Sequence, residues 1–75
     1  MKGKGIFMSL SENIRNRRIK KSFTQQQFAE KVGVGRSMIA QIERGTKIPN
    51  MMLGKEIARV LECSMDELVK ETQEV

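Results

Sequence analysis

The sequence predicts an all-α domain of five helices, and three observations carry that prediction. Helix-start signatures of the form S/T-x-x-E/Q recur at Ser9-Leu-Ser-Glu12, Thr24-Gln-Gln-Gln27 and Ser64-Met-Asp-Glu67. Apolar residues return at spacings of three and four, and no segment alternates in the manner of a strand. The chain has 75 residues, 39% of them apolar, which suits one core near the lower size limit for a fold without metal or disulfides.

Residues 1–8 are Lys- and Gly-rich without helical period, and a flexible basic arm is expected there. Two readings stand for it: a start-site remnant without function, or an arm that touches phosphates. The domain itself is expected over residues 9–71. Helix 1 starts at the Ser9 box and runs to about Lys21, with Leu10 and Ile14 on its apolar face. The next positions on that face are Arg17, Arg18 and Lys21. A charge turned inward needs a partner, because burying it unpaired costs several kcal/mol, and Glu43 is the candidate.

Helix 2 starts at Thr24 and runs to about Val32, burying Phe28, Ala29 and Val32, with Phe23 placed for a staple contact just before the cap. Gly33 ends it in the left-handed region, which glycine enters at little cost. Only Val34 and Gly35 then precede helix 3, so the two helices must pack at a steep angle, as in a helix-turn-helix. Helix 3 runs to Gly45. Ile39 and Ile42 share one face, and Arg36, Ser37, Ala40, Gln41 and Arg44 occupy the other. Taken alone, that polar face suits an ordinary solvated helix as well as one that enters a DNA groove.

Thr46 to Pro49 form a loop, and Asn50 caps helix 4, whose Met51, Ile57, Ala58 and Leu61 are expected to face the core. Gly54 interrupts that helix at a cost of about 1 kcal/mol relative to Ala, for which close packing against another backbone is the expected reason. The Ser64 box starts a short helix 5 with Met65, Leu68 and Val69. Residues 72–75 are expected to fray.

Net charge is +5 and unevenly spread: residues 1–23 carry +6, residues 24–49 carry +2 and residues 50–75 carry −3. The basic half suits a polyanion, although an acidic protein would fit it too. The lone Cys63 and the absence of His argue against a disulfide or a zinc site, so no cofactor or metal is expected. Cys63 reads as a small core hydrophobe. No apolar run approaches the ~18 residues of a membrane span, so a cytoplasmic protein with no membrane partner is expected. No nucleophile–base set or phosphate-cradling loop points to an enzyme or to a small-molecule ligand.

The pattern Thr24-Gln25-x-x-Phe28-Ala29-x-x-x-Gly33-Val34-x-x-x-x-Ile39-x-x-Ile42-Glu43-x-Gly45-x-x-x-Pro49 closely resembles the Cro/repressor-type (Xre-like) helix-turn-helix family. The likeness continues through Ile57-Ala58-x-x-Leu61 and Ser64-Met65-Asp66-Glu67-Leu68, and so covers about residues 9 to 71. It implies a lambda-repressor-like five-helix domain with helix 3 in the major groove. It further implies a two-fold homodimer on a palindromic operator and regulation of transcription. By position, the family's base-reading residues fall on Arg36, Ser37, Ala40 and Gln41. Arg36 can bond guanine O6 and N7, Gln41 can pair with adenine, and Ala40 can meet a thymine methyl. Gln25, Arg44, Thr46 and Lys47 fall at phosphate-contacting positions, with Arg15 and Lys20 as weaker candidates. Arg18 and Glu43 match a family ion pair that anchors helix 3. Three departures stand out: Gly35 where Ser or Thr is common, Gly54 where a large aliphatic residue is usual, and Arg17 where Leu is common. Arg17 is expected at solvent or against an acidic neighbour.

Met52, Leu53, Val60, Leu68 and Val69 are the expected dimer surface, since a core this small does not need them all. The alternative function is an antitoxin-like module that neutralises a partner protein, with DNA binding secondary. Solvent-facing Met52 and Leu53 would serve either.

Overall fold

The computed structural model describes residues 9–70, with the side chains of 69 and 70 outside the description. The expected arm at 1–8 and the tail at 72–75 therefore lie outside the described residues. Five helices follow in order: α1 Leu10–Lys20, α2 Gln25–Val32, α3 Arg36–Arg44, α4 Met51–Leu61 and α5 Met65–Lys70.

The starts of α1, α2, α4 and α5 are each closed by a side chain. The Ser9, Thr24 and Ser64 hydroxyls accept from the amides of Glu12, Gln27 and Glu67 at 3.2, 3.0 and 2.9 Å, and those side chains accept in return from the cap amides. Asn50 Oδ1 accepts from the Leu53 amide at 2.8 Å and starts α4. Donors that a helix start would leave unpaired are thus satisfied locally. Phe23 stacks on Phe28 with centroids 6.4 Å apart, the staple across the start of α2, and Lys31 lies over the outer Phe23 ring.

The core comprises Ile14, Phe28, Ala29, Val32, Ile39, Ile42, Ile57, Ala58, Leu61 and Leu68, all buried. Ala29, with no exposed surface, lets α2 lie close against both α3 and α4. Among the described residues no helix is long and apolar enough to cross a membrane, and no cluster of His, Cys, Asp or Glu is placed to hold a metal.

Sequence expectations for Met51, Leu68 and Leu53 are corrected here. Met51 is 72% exposed rather than in the core. It opens α4 at the rim of the bundle, where it forms one wall of an apolar cavity of about 220 Å³ with Leu10, Pro49 and Met65. Leu68 is 3% exposed and belongs to the core, not to a free surface. Within the six-residue α5, Leu68 enters the core and Met65 packs half-buried against it. Leu53 and Val60 are half-buried against the same core, so Leu53 does not face solvent freely as expected. Met52 is 79% exposed, and the Val69 side chain lies outside the description.

Asn13 escaped the sequence reading. It is fully buried on α1, its Nδ2 donates to the Leu68 carbonyl at 2.7 Å, and its Oδ1 accepts from Arg17 Nε at 2.9 Å. It thereby satisfies a carbonyl in the last turn of α5, which the helix itself leaves open, and ties α5 to α1. Half-buried Arg17 finds an amide partner on its own helix. At the far end of α1, Lys21 donates to Glu62, which holds that exposed carboxyl below its usual range.

Gly54 is buried, but the neighbour that explains it is a side chain rather than a backbone. A Cβ there would lie 3.2 Å from Met65 Cε. That contact is tight by a few tenths of an ångström, and the obstructing atom is the free end of a flexible chain. The helix-propensity gain of about 1 kcal/mol should therefore exceed the cost of moving Met65. Gly54→Ala is predicted to raise the thermal midpoint, as read by circular dichroism. A lowered midpoint would show Met65 to be held in place.

Candidate nucleic-acid interface

The position of α3 is set by the short turn before it and by the residues on its inner face. Gly33 adopts φ 95°, and its amide and that of Val34 both donate to the Ala29 carbonyl, at 2.8 and 3.0 Å. Gly35 caps α3 through its backbone alone. At the other end Gly45 takes φ 84°, and Thr46 donates to the Gln41 carbonyl from both its amide and its hydroxyl, at 3.0 and 3.2 Å. Both ends of the helix are therefore stopped within a residue or two, which limits α3 to nine residues.

Ile39 and Ile42 are buried on the inner face, and Glu43 stands beside them with a side chain only 3% exposed. Arg18 meets that carboxylate side-on: Nε donates to Oε2 at 2.6 Å and Nη2 to Oε1 at 3.0 Å. Gln25 Nε2 adds a donor to Oε1 at 3.1 Å, and Arg18 Nη1 donates to the Phe23 carbonyl at 2.8 Å. One buried carboxylate thus joins α1, α2 and α3, and both of its oxygens are engaged. Two parallel charge-assisted bonds also fix its orientation.

The outer face of α3 is left to the remaining residues. Arg36, Ser37 and Arg44 are exposed, and Ala40 and Gln41 are half-buried. Gln25, Arg36, Ser37, Ala40 and Arg44 come together around a polar concavity of about 400 Å³ between α1, α2 and α3, with Glu43 in its wall. Arg15 of α1 completes the rim. Gln41 stands outside this concavity, and its Nε2 lies 3.4 Å from the Ser37 hydroxyl one turn back. Lys47 is exposed and lies apart, beside Ile48, Pro49 and the start of α1. The candidate base-reading residues therefore share one helix, whereas the candidate phosphate contacts Arg44, Thr46 and Lys47 gather at its C-terminal end and Gln25 stands on α2 beside Glu43.

A helix-turn-helix family model matches residues 14–68, from the buried Ile14 to the buried Leu68. The chain belongs to the helix-turn-helix family. It is 40% identical over 48 residues to YazB, an uncharacterised HTH-type transcriptional regulator of Bacillus subtilis (strain 168), spanning 64% of this chain and 70% of YazB. An uncharacterised HTH-type transcriptional regulator of Archaeoglobus fulgidus is also 40% identical, over 55 residues that span 73% of this chain and 79% of the relative. Among solved structures, the P22 c2 repressor in complex with synthetic operator 9T superposes with a TM-score of 0.81 at 34% identity. That match covers 85% of this chain and 97% of the repressor chain. The lambda-repressor-like five-helix architecture expected from the sequence is thus the one observed.

The Glu43 network supplies a stability test. Arg18→Met strands a buried carboxylate and is predicted to cost roughly 3–5 kcal/mol in urea unfolding, whereas Arg18→Met with Glu43→Leu should recover much of that loss. A double variant less stable than either single one would show that the two residues do not act as a pair.

Proposed function

We propose that this protein is a DNA-binding transcriptional regulator that lays α3 in the major groove and binds a palindromic operator as a homodimer, acting as a repressor or autoregulator. The observation that carries the reading is the division of α3 into two faces. Ile39, Ile42 and Glu43 are buried, so Arg36, Ser37, Ala40 and Gln41 are free to meet base edges. Arg36 supplies two donors for guanine O6 and N7, and the Gln41 amide supplies the donor and acceptor that match adenine. Gln25, Arg44 and Lys47 hold the phosphates, which fixes register without reading sequence, whereas the Thr46 amide and hydroxyl are both spent on the Gln41 carbonyl, so the phosphate role expected for Thr46 is withdrawn. The P22 c2 repressor, whose known complex holds a synthetic operator, supports this reading by its similarity.

The dimer surface is redrawn by burial. Leu68 is committed to the core, which leaves Met52 as the exposed member of the expected surface, with exposed Ile48 and Met51 just before it in the chain and half-buried Leu53 and Val60 on the same helix. A second copy paired there would give half-sites about one helical turn apart, roughly 10 base pairs. The same exposed edge supports the second reading, a module that neutralises a partner protein, and recovery of a stable complex with an unlike chain would favour it.

Selection of sites from random duplex DNA tests the proposal, and a palindromic motif is the expected result. On the selected site Arg36→Ala should relax preference at one base, at a cost of about 1–3 kcal/mol. Lys47→Ala should weaken selected and random DNA alike. Enrichment of no motif, or equal binding of both DNAs by the native chain, would reject sequence-specific recognition.

A further inference from the structure

The apolar cavity beside Met51 has no part in the proposed function. Of about 220 Å³, it is walled by Leu10 and Ile14 of α1, Met51 and Ile57 of α4, and Met65 and Leu68 of α5. Among the described residues that line it Asn50 alone is polar, and its side-chain oxygen is committed to the Leu53 amide at the start of α4. Gly54 lends the cavity no side chain, so space that a larger residue would take stays open. Such walls offer nothing to a charged or hydrogen-bonding ligand, and an apolar cavity of roughly 150 Å³ already admits a benzene ring. The space therefore fits one apolar side chain of the size of phenylalanine.

We infer that Ile6-Phe7-Met8 of the same chain covers this cavity, with the Phe7 ring seated inside it. The described residues begin at Ser9, and Leu10 is itself a wall of the cavity. Leu10 and Pro49 are shared with a second cavity of about 200 Å³ that Ser9 lines, so the preceding residues join the domain where the two cavities adjoin. Phe7 precedes Ser9 by two residues, which keeps their Cα atoms within roughly 7 Å of each other and the ring within reach of the cavity. The chemistry matches as well: three consecutive apolar residues follow the Lys- and Gly-rich stretch 1–5. Phe23 and Phe28 are stacked on each other, so Phe7 is the phenylalanine available to the cavity. The other end of the chain is a poorer match, since residues 71–75 carry Glu71 and Glu74 and a single apolar residue, Val75. Seating Phe7 also covers Met51, 72% exposed at the rim, so the chain caps part of its own apolar surface. The inference stands apart from DNA binding.

The test follows the Phe7 ring by NMR in the full chain with labelled Ile, Leu and Met methyls. Contacts are expected from the ring to the methyls of Leu10, Met51, Ile57, Met65 and Leu68, and they should persist on dilution. Phe7→Ala should lower the thermal midpoint by about 4–8 °C, the shift that loss of a buried ring gives a domain of this size. Phe7→Leu should recover most of that loss. Benzene supplies an independent readout. Added to Phe7→Ala, it should enter the vacated cavity and shift the same methyl signals saturably. In the native chain it should bind about tenfold more weakly or less, because the empty cavity is there the minor state.

Absence of contacts between Phe7 and these methyls in the native chain would overturn the inference, and so would equal benzene binding by the native chain and Phe7→Ala. Contacts between the ring of one copy and the methyls of another in a mixed-labelled sample, lost on dilution, would assign the cavity to a second copy and overturn its occupation by the same chain. Contacts from Val75 in place of Phe7 would assign it to the other end of the chain, with the same consequence. Should Phe7→Ala fail to fold, the ring contacts of the native chain and the midpoint of Phe7→Leu decide the outcome.

Discussion

The placement of α3 depends on one buried carboxylate. Glu43 sits at the seam of α1, α2 and α3, where Arg18 and Gln25 bring three donors to its two oxygens. A nine-residue helix is too short to be stable by propensity alone, and its two buried isoleucines, Ile39 and Ile42, hold one face without fixing its rotation closely. The side-on ion pair adds direction to that hydrophobic hold. Compared with apolar substitutes such a pair adds little net stability, so its contribution here lies in aiming α3.

That aim explains how a small domain separates structure from contact. Residues three or four apart on α3 alternate between the two tasks: Ile39, Ile42 and Glu43 face the bundle, while Arg36, Ala40 and Arg44 line the outer concavity. Charge follows the same division. The inner guanidinium is matched by a carboxylate, and the outer ones have no such match among the described side chains. An anionic ligand therefore meets basic groups that need not first be released from internal partners.

The five helices were legible in the sequence because their punctuation is local. Each capping box involves residues three apart, and Gly33 and Gly45 mark left-handed stops that few other residues tolerate. Where the determinant was distant, sequence reasoning failed. Asn13 is buried because a carbonyl 55 residues away accepts from it, and no periodicity marks a polar side chain as interior. Leu68 and Met51 both sit at helical spacing, but spacing identifies a stripe without showing where it leaves the bundle. Gly54 seemed to call for a backbone neighbour, and its actual neighbour, Met65, is visible only once α4 and α5 are packed. At the site, the residue types of α3 could be read directly from its polar face. The convergence of Arg15 with them could not, because it follows from the packing of α1 on α3.

On the proposed function, the anchored helix presents its outer face to the floor of the major groove. Isotope-filtered NMR on the labelled protein bound to a selected duplex tests it most directly. Contacts are expected from the Ala40 methyl and the Gln41 side chain to major-groove protons, including a thymine methyl, and none from Ile39 or Ile42. Contacts confined to minor-groove protons, or arising from α4 and α5 in place of α3, would contradict it.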